Sequence, residues 1–127
     1  MSGEVVHFEI PADNTKRART FYEKTFGWKM NIVPEMDYTL VTTGPADGEG
    51  MPKAPGYIGG GIGPRDGPLK VPVVTIMVDD IEAAAKTIQK NGGKMVRGKV
   101  QVGDMGFAAY FTDSEGNVLG LFQAARA

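Results

Sequence analysis

His7 to Met30 reads HFEIPADNTKRARTFYEKTFGWKM, and Val73 to Val96, 66 residues further on, reads VVTIMVDDIEAAAKTIQKNGGKMV. Laid one over the other, Ile10, Asp13, Ala18, Lys24 and Gly27 meet Ile76, Asp79, Ala84, Lys90 and Gly93. Five identities are weak by themselves, but the local grammar agrees as well. Each stretch has an apolar strand, an Asp at a helix start, an amphipathic helix, a glycine stop and a second strand. Two copies are too few for a stacked solenoid. They suit two modules that close onto one shared core with a cavity between them.

Working outward, Val5 to Ile10 alternates as a strand, with Val6, Phe8 and Ile10 on one face and His7 and Glu9 on the other. Asp13 or Asn14 is placed to cap the following helix. Ala18, Phe21, Tyr22 and Thr25 share a helical stripe, and Gly27 suits the position after the helix end. Trp28 to Val33 and Tyr38 to Thr43 read as a hairpin turning at Pro34 and Asp37. Residues 44–56, GPADGEGMPKAPG, form a loop too long for a tight turn, either a cover for a site or a plain insertion. Tyr57 to Ile62 is a glycine-weakened strand, and residues 63–70 link the halves.

In the second copy Pro72 to Val78 is a strand, and Asp79 and Glu82 have capping-box spacing. Ile81, Ala84, Ala85 and Ile88 form the buried helix face, and Asn91-Gly92-Gly93 ends it. Lys94 to Gln101, Phe107 to Thr112 and Val118 to Gln123 are strands, the last two joined by the turn sequence DSEGN. Each half is therefore β-α-β-β-β, module one over about 4–63 and module two over about 71–124. Together they make an α+β single domain of eight strands and two helices.

Composition narrows the function. The 127 residues carry a net charge of −1, with a pI near 5.8, which disfavours a nucleic-acid partner. There is no cysteine, which removes disulfides, thiolate metal sites and a Cys nucleophile. No apolar run approaches the ~20 residues that span a bilayer, and Met1 to Val6 has no signal-peptide pattern. A cytoplasmic protein with no membrane partner is expected. GGGIGPRDG, residues 59–67, lacks the Lys-Ser/Thr ending of a phosphate loop. The only histidine offers no catalytic triad.

VHFEIPADNTKRARTFYEKTFGW, with YFTDSEGNVLGLFQ near the end, resembles the vicinal oxygen chelate superfamily, which includes glyoxalase I, extradiol dioxygenases, methylmalonyl-CoA epimerase and bleomycin-resistance proteins. The resemblance covers nearly the whole chain and rests on structural signatures. It implies paired βαβββ modules in an open curved barrel around a cavity, and frequent homodimers. It also implies, in the metalloenzymes, four inward positions holding a divalent metal that acts as a Lewis acid on vicinal substrate oxygens. Those positions fall here on His7, Val73, Gly60 and Gly120, of which only His7 has a donor atom.

Two readings follow. One is a protein that binds a small organic molecule in the cavity without the usual metal. Its expected pocket residues are His7, Glu9, Tyr38, Gly60, Met105, Phe107, Gly120 and Phe122. The other is a metal-dependent lyase, isomerase or dioxygenase with a site built on His7 and Glu9, helped by Asp104 or Glu115. Glu9 is the candidate catalytic base, because a carboxylate facing an apolar cavity has a raised pKa or needs a partner. The bland alternatives are a hydrogen-bonded His7 and a Glu9 paired with a Lys or Arg. Glycines 59–61 and 120 read as space cleared on the concave face. Met36, Met51, Met77, Met95 and Met105 offer a soft lining, and Trp28, Tyr38, Tyr57, Phe107 and Phe122 aromatic walls. No cofactor beyond a possible, disfavoured divalent metal is expected.

Overall fold

A computed structural model describes residues 3–34, 36–47 and 52–125. The chain divides into two compact units, residues 7–72 and residues 73–125 together with 3–6. The elements are β1 (Val5–Ala12), α1 (Thr15–Phe26), β2 (Lys29–Val33), β3 (Tyr38–Thr42), β4 (Gly59–Pro64), β5 (Val73–Met77), α2 (Ile81–Lys90), β6 (Lys94–Val102), β7 (Gly106–Thr112) and β8 (Val118–Ala124). The fold is α+β, with two tandem βαβββ modules.

In the first unit the strands run β2-β3-β4-β1, with β4 parallel to β1 and the other neighbours antiparallel. The second has the same plan, β6-β7-β8-β5, with β8 parallel to β5. Gly3 and Glu4 join this unit through backbone bonds to Met77, with N···O distances of 2.8 and 2.9 Å.

The repeat extends to the caps, but one residue later than the aligned aspartates. Asn14 holds extended dihedrals (φ −136°, ψ 101°), and its side-chain oxygen accepts the Arg17 N–H. Asp80 does the same for the N–H groups of Glu82 and Ala83. The caps are thus Asn14 and Asp80, again 66 residues apart, and Asp79 is not the capping residue. Asn14→Ala should cost about 1 kcal/mol of unfolding free energy in urea melts. An unchanged midpoint and slope would mean that water satisfies the first turn equally well.

Gly27 ends α1 in the left-handed region (φ 73°) and returns its N–H to Glu23. In the second copy Gly92 takes the positive φ (98°) instead of Gly93. Gly93 is glycine for a different reason: a Cβ there would press on the Ile88 side chain and the Thr112 carbonyl.

Each helix covers one face of its own strands. Ala12, Val41 and Ile62 are buried beneath α1, with Phe8, Ile10, Ala18, Tyr22, Trp28 and Met30 around them. Ile81, Ala109, Phe111 and Leu121 form the corresponding core at α2, with Ile76, Val78, Ala84, Ile88, Met95, Phe107 and Leu119 against it. Ile62, with 0% of its surface exposed, is worth about 2–3 kcal/mol of transfer free energy. Phe21, expected on the inner stripe, is instead 55% exposed and meets Tyr22 edge-on at 5.1 Å. At 100° per residue it lies about a quarter turn from the Ala18–Tyr22 direction.

The DSEGN turn is held by Asp113, whose carboxylate accepts the N–H groups of Glu115 and Asn117 and the Asn117 side-chain amide. These bonds, that from the Asn117 backbone first, hold its carboxyl below the usual aspartate range.

Candidate functional site

Strand parity sorts the candidate residues. Phe8 and Ile10 point into the α1 core, so His7 and Glu9 lie on the opposite face of β1. On β3, Val41 belongs to the core, so Tyr38 and Leu40 share the His7 face. On β4, Gly59 and Gly61 stand beside His7 and Glu9 in register. Gly60 is a correction to the sequence reading. It lies on the helix side, where a Cβ would overlap the Phe8 ring. The open positions on the His7 face are Gly59, Gly61 and Gly63.

That glycine row has an occupant. Tyr38 starts on β3, and its hydroxyl meets His7 Nε2 on β1 at 2.9 Å. The two strands lie on either side of β4, so the ring must cross it, a span of about 9.6 Å at ordinary strand spacing. It can cross because residue 61 has no side chain: a Cβ there would overlap the Tyr38 hydroxyl and ring. A Cβ at Gly63 would also press on the ring, at 3.2 Å. The glycines clear space for the protein's own phenol.

His7 is partly buried, and desolvation pushes its pKa down to about 4. The imidazole is therefore neutral at pH 7. One of its nitrogens donates and the other accepts, so Nε2 can either take the Tyr38 proton or give one to the Tyr38 oxygen. Glu9 is half-buried on the same face and engages a partner.

In the second unit Gly120 sits opposite Thr75 on β5 and Tyr110 on β7, on the face away from α2. Thr75 is only 6% exposed, and its Oγ1 lies 2.9 Å from where a Gly120 Cβ would stand. Phe122 shares that face opposite Ala108. Phe107 does not: it packs on the α2 core, with Lys99 Nζ 4.5 Å from its ring centroid. Met105 lies in the turn before β7 and is 41% exposed. Trp28, like Phe107, is a helix-side residue, stacked on Tyr22 at 4.9 Å and 7°. Of the methionines, Met95 packs in the α2 core and Met36 is exposed. Met51 lies outside the described residues, as do the neighbouring loop positions 48–50. The flanks of that loop are pinned by the Tyr57 hydroxyl donating to the Pro45 carbonyl and by a bridge between Ala46 and Pro52.

Tyr110 was missed by the sequence reading. Its signal was parity: once Phe107 and Ala109 face the helix, Tyr110 must face the Gly120 side.

Of the four positions that the resemblance assigns to a metal, only His7 carries a donor atom. Val73 and Gly120 offer no donor, and neither do Gly59, Gly60 or Gly61. Nε2 of His7 is engaged by Tyr38. Among the described residues no three His, Asp or Glu side chains converge closely enough to hold a metal. Asp104 and Glu115 are exposed turn residues, Glu115 bonded to the neighbouring Ser114.

Comparison with known proteins fits this architecture. Residues 4–44 match the Bleomycin resistance protein-like N-terminal family. A glyoxylase-like domain-containing protein of Didymella fabae is 32% identical over 92% of this chain and 91% of its own length. A putative glyoxylase of Mycobacterium bovis, CFP32, is 28% identical over 93% of this chain, which spans only 44% of that longer protein. Methylmalonyl-CoA epimerase of Streptomyces coelicolor superimposes with a TM-score of 0.67 over 100% of this chain and 98% of its own. At 14% identity that likeness concerns the fold alone. The chain belongs to the glyoxalase/bleomycin-resistance-like family of the vicinal oxygen chelate superfamily. No helix among the described residues is long and apolar enough to cross a membrane.

Proposed function

We propose that the chain binds a small organic molecule on the strand face carrying His7, Glu9 and Tyr38, without a resident divalent metal. The observation that carries this reading is the His7–Tyr38 bond across the glycine row. It uses a nitrogen of the one imidazole available for a metal and fixes a phenol beside Glu9 as a polar group on the face. The bleomycin-resistance-like match of the N-terminal stretch supports a binding role.

Two measurements test it. Elemental analysis of freshly purified protein should find substoichiometric Zn, Ni, Mn and Fe, unchanged in His7→Ala. Near-stoichiometric metal that His7→Ala removes would sink the reading and favour a lyase, isomerase or dioxygenase. A thermal-shift screen that includes bleomycin should yield a ligand that raises the melting temperature. At a hundred times its dissociation constant such a ligand adds about 2.7 kcal/mol. Tyr38→Phe should then weaken binding by about 1 kcal/mol, the value of one hydrogen bond. Full affinity in that variant would remove Tyr38 from the site.

A further inference from the structure

A groove of about 340 Å³ runs between the start of α1 and the end of β1, and Tyr38 is not among its lining residues. Its volume falls at the small end of ordinary ligand sites. Its apolar lining comes from Ile10, Pro11, Ala12, Ala18, Phe21 and Tyr22. Two arginines from different elements line it, Arg17 of α1 and Arg65 of the connector after β4. Arg17 and Phe21 are one helical turn apart, so their side chains are neighbours on the helix surface.

The charges point the same way. Helix α1 carries Lys16, Arg17, Arg19 and Lys24 against the single acid Glu23, in a chain whose net charge is −1. Arg19 is turned inward to the Thr39 hydroxyl at 3.3 Å, whereas Lys16, Arg17 and Lys24 are exposed. The first turn holds two cations and no acid, the reverse of what the helix dipole favours. Arg65 is held in place, with Nε on Asp13 at 3.0 Å and Nη1 on the Lys70 carbonyl at 2.6 Å. Among the described residues Asp13 is the only acid in its lining, and it is paired with Arg65.

We propose that this groove is a separate site for a small aromatic anion, an aryl carboxylate or sulfonate, whose ring lies against Phe21 and whose acid group faces Arg17 and Arg65. An anion there offsets the two first-turn cations, and the ring covers an aromatic side chain that is 55% exposed. The site does not depend on the reading of His7 and Tyr38.

The probe is naphthalene-2-sulfonate, followed by amide shifts in proton–nitrogen NMR, with naphthyl-2-trimethylammonium as the matched cation. The sulfonate should shift the amides of Ala12, Arg17 and Phe21, and the cation should not. Arg17→Gln and Phe21→Ser should each weaken binding about fivefold, as expected for one exposed charge-assisted contact and one ring contact. Arg17→Glu should abolish it. All three changes fall on exposed side chains, and amide dispersion reports that the fold is kept. Raising the salt should weaken binding. The proposal is overturned if these amides stay still at millimolar probe, if the cation shifts them equally, if the variants bind like the parent, or if the shifts centre on His7 and Tyr38 instead.

Discussion

Gly61→Val should lower the unfolding free energy by about 3 kcal/mol, although valine is among the best strand formers. The cause is the Tyr38 ring. A Cβ at residue 61 would occupy the space of the ring and its hydroxyl, so the phenol must leave or β4 must shift. Overpacking of this kind costs about 1–3 kcal/mol, and the loss of the His7–Tyr38 bond adds roughly 1 kcal/mol. Gly98 supplies the control. It lies in β6 with nothing within 4 Å of its would-be Cβ and no positive φ, so Gly98→Val should be neutral or slightly stabilising. Adding Tyr38→Ala to Gly61→Val should return part of the loss, because two residues in contact do not contribute additively. If Gly61→Val matches Gly98→Val in urea melts, Tyr38 does not cross β4 as described.

Acidification should separate the wild type from His7→Gln by about 3 kcal/mol between pH 7 and pH 4. Burial lowers the His7 pKa from 6.5 to about 4. Between those values the unfolded chain binds the proton and the folded protein resists it, so stability rises with pH across the window. The His7 contribution is fully present above pH 6.5. It is lost as the pH falls through 4 and levels off below that. A shift of about 2.5 units corresponds to about 3.4 kcal/mol, and residual solvent contact trims this towards 3. Carboxylates titrate over the same range, so the difference between wild type and variant is the quantity to measure. Because His7 is the only histidine, its imidazole signals give an unambiguous titration. A midpoint near 6.5, or equal acid losses in the two proteins, would show that the imidazole is solvated in the folded state.

Some of the site was legible in the chain and some was not. The 66-residue repeat, the positions of the helix starts to within a residue, and the split of β1 into a Phe8–Ile10 face and a His7–Glu9 face follow from local rules. Periodicity of 2 and 3.6 and the hydrogen-bonding needs of a helix start are properties of neighbouring residues. Gly60 was assigned to the wrong face by one residue, and a slip of one inverts every side chain in a strand. The run of three glycines at 59–61 has no apolar pattern to betray that slip. Phe107 shows the same ambiguity, since the run FAAYF suits either parity until Ala109 is seen under α2.

The sequence by itself determined two βαβββ modules, the approximate ends of their helices, and a single histidine that shares a strand face with Glu9. Those are matters of residue chemistry and of spacing along the chain. Only the tertiary structure decided that the glycines make room for Tyr38, that its hydroxyl holds His7, and that Arg17 and Arg65 border one groove. They join residues 23 (Tyr38 to Gly61), 31 (His7 to Tyr38) and 48 (Arg17 to Arg65) positions apart. Such contacts depend on how strands pair and how the helix packs on them, which no local pattern encodes.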